Sequence, residues 1–193
     1  AGKLNQSGNA ATLPAISGPA VIISGSCSAA TLAQIADYGD RGPRYQVDPM
    51  RLAQGADETR AVIAEAVSLA RQAQEQGKTA LIHASAEPEQ VKAAQQAIGR
   101  EAAGEQVEHA LASCAAELAA HGTRRFVVAG GETSGAVVQA LQVSALRIGP
   151  QIDPGVPWTE TVGATPLAVT LKSGNFGATD FFSKALAMLD AQA

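Results

Sequence analysis

The stretch FVVAGGETSGAVVQAL, residues 126–141, carries the pattern that decides the fold. An apolar run at 126–129 breaks into the small polar sequence GGETSG, and Val137 and Leu141 then follow at helical spacing. A change from an apolar run to a helical period predicts a strand, a tight turn and a helix in succession.

The same succession recurs along the chain. In VIISGSCSAAT, residues 21–31, a strand-like run gives way to small polar residues, and an apolar period at Leu32, Ile35 and Ala36 follows. Strands alternating with helices imply βαβ units, so we expect an α/β fold of three layers: a mostly parallel sheet with helices on both faces. The predicted strands lie at 20–23, 45–47, 79–83, 126–129 and 167–171, with a further one at Leu146 and Ile148.

The composition indicates one globular domain. Of 193 residues, 46% are hydrophobic and 17% charged, so the chain is apolar enough to fold around one core. A formal net charge of -4 gives no broad positive field for nucleic acid. No run of the sequence approaches the roughly 20 apolar residues of a spanning helix. Neither nucleic acid nor a membrane is therefore an expected partner, while a homo-oligomer remains open.

The start of the chain and its cysteines bear on organisation and location. Residues 1–19 are small and polar and lack the apolar core of a signal peptide, so we expect a linker or domain junction ahead of the folded domain at 20–193. The missing start methionine fits the trailing domain of a longer protein, or removal of a tag. Cys27 and Cys114 make neither a disulfide framework nor a zinc pattern, so a cytoplasmic location is expected.

Three small-residue turns each follow an apolar run directly. They are SGSCS at 24–28, GGETSG at 130–135 and KSGNFG at 172–177, the first, second and third turns. On a parallel sheet all three would lie along one edge, and the first two also open helices. Helix starts attract anions such as phosphate through unpaired N–H groups and the helix dipole. One such turn is adequately explained as a helix cap, but three at one edge favour a phosphate site.

The standard nucleotide fingerprints do not fit these turns. A dinucleotide motif needs a glycine two residues after Gly130, where the sequence has Glu132. A Walker A loop needs Lys and then Ser or Thr after Gly135, but Ala136 and Val137 occupy those places. The second turn is therefore not an ordinary P-loop, and a nicotinamide-dependent oxidoreductase domain is a weakly supported alternative.

Four motifs, in their order and spacing, resemble one known family. VIISGSCSAAT, VVAGGETSGAVVQAL, IDPGVPW and LKSGNFGATDFF are similar to the carboxyl-terminal nucleotide-binding domain of the four-carbon acid sugar kinases, the 3-oxo-tetronate kinases. The resemblance extends from about residue 20 to the end. It implies that this domain binds ATP, that an amino-terminal domain binds the sugar acid, and that the γ-phosphate passes to the 4-hydroxyl of a 3-oxo-tetronate. The catalytic base is then expected in the other domain, and this chain alone is expected to be inactive.

The resemblance also implies ATP contacts in all three turns. They fall on Ser26 or Ser28, on Gly131, Glu132, Thr133 and Ser134, and on Gly174. Three further residues of the same turns complete the ATP-binding candidates: Gly130, Asn175 and Gly177.

Charged residues beside the turns suggest roles that the resemblance does not assign. Lys172 is a candidate to neutralise a phosphate oxygen, because phosphoryl transfer depends on positioning and charge neutralisation. Glu132 or Asp180 is a candidate to hold Mg²⁺, directly or through water. The plain structural alternatives are a solvated lysine, a first-turn glutamate and an acidic helix cap.

Other interpretations remain open. The chain could instead be a non-catalytic module for a phosphorylated metabolite or an acyl carrier. Cys27 is interpreted as a small filler rather than a nucleophile, and His83 as a hydrogen-bonded structural residue. Trp158, in a loop that two prolines stiffen, either covers an adenine or packs against the sheet edge, and packing is favoured. The Gln/Ala-rich stretch 87–103 is interpreted as an ordinary solvated face.

Overall fold

A computed structural model describes residues 16–86, 91–92, 95–96 and 99–191. Most of the predicted linker, residues 1–15, lies outside the described residues. Within them the strands are β1 (Ala20–Ser24), β2 (Arg44–Gln46), β3 (Ala80–His83), β4 (Arg125–Ala129), β5 (Leu146–Asp153), β6 (Val156–Thr161) and β7 (Ala168–Lys172). The helices are α1 (Ala29–Tyr38), α2 (Pro49–Leu52), α3 (Ala56–Glu75), α4 (Arg100–Ala120), α5 (Gly131–Ala140) and α6 (Phe181–Asp190).

These strands form one sheet in the order β2-β3-β1-β4-β7-β6-β5. The first five are mutually parallel, and β6 and β5 continue the sheet as antiparallel strands. The predicted α/β class with a mostly parallel sheet is therefore confirmed. Because β1, β4 and β7 are adjacent and parallel, their carboxyl ends meet at one edge of the sheet.

The central strands are buried on both faces and so divide their side chains between two cores. Val21 and Ile23 of β1 face a core that includes helices α3, α4 and α5. Ile22, between them, faces a second core with α1 and α6. All three side chains are fully buried. Continuous apolar runs of this kind are typical of parallel strands covered by helices on both sides, which explains the three layers.

Helix α1 differs from its predicted apolar stripe. Leu32 is half-buried and Ala36 is exposed, whereas Thr31 and Gln34 are buried beside Ile35. Two polar residues thus occupy the inner face of the helix. Buried polar side chains require hydrogen-bond partners, and the Thr31 hydroxyl and the Gln34 amide nitrogen find theirs in and beside the third turn, as described below.

The connections create a crevice at the carboxyl end of β1. The chain leaves β1 towards the face covered by α1, but it leaves the neighbouring strands β3 and β4 towards the face covered by α4 and α5. Ligands of open α/β sheets bind in such crevices, where the direction of the connections reverses. The fold therefore places a binding crevice next to the first and second turns.

The motif IDPGVPW forms part of a β-hairpin rather than the stiff loop expected from its prolines. Strands β5 and β6 pair across a tip at Pro154 and Gly155, with irregular register near Gln151 and Pro157. A register irregularity accommodates Pro157, which has no N–H to donate to the ladder. Trp158 is fully buried, and its Nε1 donates to the Ala185 carbonyl at 2.9 Å. The favoured packing role is confirmed, and Trp158 does not cover a ligand.

Within the described ranges, no helix combines the length and apolarity needed to cross a membrane.

Replacing Trp158 by Ala should lower the free energy of unfolding by about 3–5 kcal/mol, the usual cost of deleting a large buried aromatic side chain. The indole anchors the hairpin to α6, so its loss removes both packing and the bond to Ala185. Urea denaturation followed by circular dichroism measures the change. Ile148→Ala, on the same hairpin but 66% exposed, is the matched control and should change stability by less than about 1 kcal/mol. Equal effects of the two variants would contradict the packing described here.

Candidate functional site

The three turns converge at the carboxyl edge of the sheet. The Gly25 N–H donates to the Ala129 carbonyl at 3.0 Å, and the Gly130 N–H donates to the Lys172 carbonyl at 2.9 Å. Each bond ties the start of one turn to the end of the neighbouring strand. These bonds fix the position of the first turn relative to the second, and of the second turn relative to the third.

Glycines allow this close approach. A Cβ on Gly25 would overlap the Thr133 hydroxyl, and a Cβ on Gly174 would overlap the Ser26 hydroxyl. Gly130 has a φ of +127°, where L side chains are strained, and its Cβ would lie 2.8 Å from the Thr133 Oγ1. Side chains at these positions would therefore separate the turns.

Hydroxyl groups join the first turn to the third. Ser28 is the N-cap of α1: its Oγ accepts from the Thr31 N–H at 3.2 Å and donates to the Gly174 carbonyl at 2.6 Å. The Ser26 Oγ accepts from the Ser28 N–H at 3.3 Å and lies 3.1 Å from the Thr31 hydroxyl. Ser26 and Ser28 are both partly buried in this network. The structure therefore brings the first-turn candidates together with Gly174.

Lys172 lies beneath the third turn instead of projecting into solvent. Its side chain is 1% exposed, and its Nζ donates to the Thr31 Oγ1 at 2.9 Å and to the carbonyls of Ser173 and Gly174 at 3.3 and 3.1 Å. Burial lowers the pKa of Lys172 to about 8. The solvated-lysine interpretation is wrong, because the ammonium is held inside the junction of the first and third turns.

The far half of the third turn has its own supports. The Gln34 Nε2 lies 3.0–3.1 Å from the carbonyls of Phe176, Gly177 and Ala178 and donates among them. The buried carboxylate of Asp153 accepts from the Ala178 N–H at 2.9 Å and pairs with Lys184 at 2.5 Å. Asp153, next to the hairpin tip, thus supports the end of the third turn. Asn175 stays exposed, at the outer side of the turn.

Helix α5 begins in the second turn, and its first residues are exposed. Helix α5 begins at Gly131, and Gly131 and Glu132 are exposed while Thr133 and Ser134 are buried. A Cβ on Gly131 would meet nothing within 4 Å. The Ser134 Oγ is buried and has no hydrogen-bond partner in the described part of the chain. Exposed N–H groups at such a start are suited to an anion.

The two metal candidates do not form a pair. Glu132 opens α5 on one face of the sheet, and Asp180 precedes α6 on the other, where its side chain makes no cap bond. The described residues contain no group of three or more metal-binding side chains. Glu132 does have an acidic neighbour: burial, together with the Glu132 and Glu105 carboxylates, raises the pKa of Glu108.

A large cleft opens beside the first two turns, with a volume of about 1100 Å³. Gly25 and Cys27 of the first turn and Glu132 of the second form part of its wall. The remaining wall comes from the segment after β2, the segment after β3 and helix α4. The cleft therefore occupies the crevice that the connections create.

Cys27, His83 and Cys114 were not among the predicted binding residues, and the structure places each of them differently. Cys27 is exposed on the cleft wall, so its interpretation as a packed filler is wrong. His83 is buried, its Nδ1 donates to the Ser85 carbonyl at 3.2 Å, and burial lowers its pKa, as expected of a structural histidine. Cys114 is fully buried in the core, and this burial raises its pKa to about 12.

Sequence reasoning missed several residues that shape the turns. Thr31 and Gln34 lie three residues apart on the inner face of α1, and this polar pair on a buried stripe is a local signal that could have been found. Asp153 gave no comparable signal, because its partners Ala178 and Lys184 lie far along the chain. The cleft wall on α4 was also missed.

Comparison with known proteins gives consistent matches. Residues 21–182 match the family of nucleotide-binding C-terminal domains. The chain is 54% identical over 190 residues to a 3-oxo-tetronate kinase of Cupriavidus necator and 54% identical over 185 residues to one of Burkholderia multivorans, covering 98% and 96% of this chain. A crystal structure of a Haemophilus influenzae protein is similar with a TM-score of 0.83 and 33% identity over 93% of this chain. The matches span 42% of the length of each of these proteins.

Replacing Lys172 by Met should alter the pH dependence of stability. The folded chain holds the pKa of Lys172 at about 8, below its ordinary value of 10.5. Between these values the unfolded chain binds more protons, so this lysine makes the free energy of unfolding rise with pH, by up to about 1.4 kcal/mol per pH unit. Lys172→Met lacks that rise. The difference between the two chains, measured by urea denaturation across this window, should change with pH, and a constant difference would show that the ammonium is not desolvated.

Proposed function

This chain belongs to the family of nucleotide-binding C-terminal domains, and from that premise we propose that it binds ATP with Mg²⁺ across the three turns. The observation that carries the proposal is the convergence of the turns, in which hydrogen bonds join the first turn to the end of β4, directly before the second turn, and join the second turn to Lys172 at the start of the third. A polyphosphate needs several donors held in fixed positions. Three loops from adjacent strand ends supply such positions without a P-loop.

Each turn has a distinct part in this proposal. The exposed start of α5 at Gly131 presents N–H groups to phosphate oxygens, with Thr133 and Ser134 behind it. Ser26 and Ser28 hold the first turn in position, and the bond from Ser28 to the Gly174 carbonyl holds the third turn beside it. Lys172 contributes positive charge from below the third turn, close enough to act through its field while its donors stay with protein oxygens.

Magnesium fits the second turn better than the third. Mg²⁺ bound with a nucleotide usually keeps several waters and uses one or two carboxylates besides the phosphates. Glu132 is exposed beside the helix start. Burial and the nearby Glu132 carboxylate raise the pKa of Glu108, so a cation beside the two carboxyl groups would relieve their repulsion. Glu132 is thus the proposed ligand, direct or through water. Asp180 lies on the other face and is the weaker candidate. The bound ion would neutralise charge on the phosphates during transfer.

The activity proposed for the whole protein is that of a kinase acting on a four-carbon sugar acid. The 4-hydroxyl oxygen of a 3-oxo-tetronate would bond to the γ-phosphorus, the bond from that phosphorus to the ADP oxygen would break, and the hydroxyl proton would pass to a base. This chain spans 42% of the length of the Cupriavidus necator and Burkholderia multivorans 3-oxo-tetronate kinases. We place the sugar-acid site and the base in the part of such proteins that it does not cover, with residues 20–193 as the nucleotide domain.

Two alternative functions of this domain must be distinguished from ATP binding, and a cellular location is also proposed. A non-catalytic module for a phosphorylated metabolite would use the same turns, and a nicotinamide-dependent domain would use the same crevice, so ligand preference separates them from a kinase domain. The free thiols of Cys27 and Cys114 favour a reducing cytoplasm.

ADP or ATP with Mg²⁺ should raise the melting temperature of the chain, and NAD should not. Ligand at about 100 times its Kd stabilises a protein by about 2.7 kcal/mol, which differential scanning fluorimetry detects. Gly131→Leu should abolish the shift because its side chain projects into the path of the phosphate without meeting the fold. Gly174→Leu should abolish it as well, but with a lower melting temperature for the free chain, because its side chain overlaps Ser26.

Gly163→Leu is the matched control for these variants. Gly163 is exposed, a Cβ there meets nothing within 4 Å, and the residue lies before β7, at the opposite edge of the sheet. The control should keep the full shift with ADP. Stabilisation by NAD but not by ADP would overturn the kinase proposal in favour of the oxidoreductase.

The 193-residue chain alone should transfer no phosphate from ATP to a 3-oxo-tetronate. Without the acceptor site, nothing positions the hydroxyl against the γ-phosphorus, and positioning supplies much of the rate in phosphoryl transfer. Chromatographic detection of ADP and the sugar-acid phosphate provides the measurement. Robust turnover by the purified chain would contradict the proposed division between domains.

A further inference from the structure

We propose that Gln34 is a positioning residue for the bound phosphates, because it holds the peptide planes of the third turn in one orientation. This inference rests on the proposed function and adds to it a residue that lies outside the three turns. Gln34 is on the inner face of α1 and is only 1% exposed. It therefore acts through the turn that it contacts, which carries the ATP candidate Gly174, rather than by touching a ligand.

The amide nitrogen of Gln34 lies at the centre of a group of backbone carbonyls. Its distance is 3.0 Å to the Phe176 oxygen, 3.1 Å to the Gly177 oxygen and 3.0 Å to the Ala178 oxygen. The Ala178 carbonyl also accepts from the Phe181 N–H. Within the described part of the chain, Gln34 is the donor to the other two. Two carbonyl groups at the end of the third turn therefore depend on this one side chain.

The direction of these carbonyls fixes the direction of the N–H groups that follow them. The C=O and N–H of a trans peptide point in opposite directions, so the N–H groups of Gly177, Ala178 and Thr179 are turned away from α1. The Ala178 N–H shows the result, since it donates to the carboxylate of Asp153 at 2.9 Å. An anionic group thus already occupies one of the donors that this arrangement presents.

Glycine makes the arrangement dependent on support from outside the turn. Gly174 and Gly177 both lie in the third turn, and Gly177 has a φ of +83°. Because glycine adopts positive and negative φ about equally well, a peptide plane beside it can rotate between alternative turn types. Ser28 and Thr31 of α1 oppose this rotation at the Gly174 carbonyl. Gln34 opposes it at the far end of the turn.

The stability of the fold does not explain a buried glutamine at this position. The Oε1 of Gln34 is buried and has no hydrogen-bond partner among the residues that the structure describes. An unpaired buried acceptor costs free energy of folding, and an apolar side chain of the same length would fill the space without that cost. The reverse orientation of the amide would place Oε1 against three carbonyl oxygens. What Gln34 contributes is therefore a fixed turn, which needs less ordering when a phosphate binds.

Gln34→Met and Gln34→Lys separate positioning from packing. Methionine has a similar length but no donor, so Gln34→Met should leave the melting temperature of the free chain little changed and weaken ADP binding by about fivefold or more, measured by calorimetry with Mg²⁺. Lysine supplies three N–H donors for the three carbonyls. Gln34→Lys should therefore keep ADP affinity within about twofold of wild type, although its buried charge lowers the melting temperature.

Ala33→Met and Ala33→Lys are the matched controls. Ala33 is exposed on the same helix, so these changes add the same side chains at a position that faces solvent instead of the third turn. Ala33→Met should leave ADP affinity unchanged. Any gain of affinity in Ala33→Lys measures the effect of an added positive charge and is subtracted from the result for Gln34→Lys.

Amide signals in a ¹⁵N–¹H NMR spectrum report the turn in the free chain, independently of any ligand. The signals of Gly174 and Gly177 should be single and sharp in the wild type and in Gln34→Lys, but doubled or broadened by exchange in Gln34→Met. Wild-type ADP affinity in Gln34→Met, or losses of affinity in both variants that follow their melting temperatures, would overturn the inference while leaving nucleotide binding intact. Failure of the wild-type chain to bind ADP at all would instead remove the proposed function, and this inference with it.

Discussion

The carbonyl oxygen of Gly174 is the point on which the arrangement of the turns depends. Ser28 Oγ, Thr31 Oγ1 and Lys172 Nζ all lie within 3.1 Å of it. Two of these donors come from the first turn and its helix, and the third comes from the end of β7. The carbonyl can be reached only because Gly174 has no side chain, since a Cβ there would overlap Ser26. One backbone group therefore fixes the distance between the first and third turns. The second turn is held between them because its Gly130 donates to Lys172, and because Gly25 of the first turn donates to Ala129, the residue before the second turn.

Burying the charged Lys172 inside this junction costs free energy of folding, and this cost indicates a use for the charge. Burial of Lys172 disfavours its charged form, and no carboxylate accepts from its ammonium among the described residues. A neutral side chain of similar shape would fill the same space without that penalty. A positive charge beneath the third turn is useful when the ligand is an anion, because a charge already in position needs no reorganisation on binding. The network around Gly174 thus trades fold stability for a preorganised positive charge under that turn.

The strand-turn-helix pattern was enough to predict the parallel sheet and the shared edge of the three turns, because each depends on local periodicity. The hairpin was not predictable in the same way. Strand β6 buries Thr159, Glu160 and Thr161, whose polar groups find partners on β5, on β7 and at the residue before β7, so no apolar alternation marks it. Asp153 and Gln34 act on the third turn across large sequence separations, which local spacing cannot reveal. The cleft wall on α4 was missed for another reason: a polar helix face looks the same whether it borders bulk water or a ligand cleft.

Charge is unevenly distributed along the carboxyl edge of the sheet, and this matters for the proposed binding of a nucleotide. The chain carries a net charge of -4, so its long-range field does not attract a polyphosphate. Attraction must come from short-range donors, which lie at the helix start of α5 and around Lys172. Carboxylates instead concentrate on the α4 side, where burial and two neighbouring carboxylates raise the pKa of Glu108. A nucleotide has the same polarity, with an anionic tail and a neutral, hydroxyl-bearing head. Mg²⁺ bound at Glu132 would lie where the two regions meet, which is where the charge changes sign.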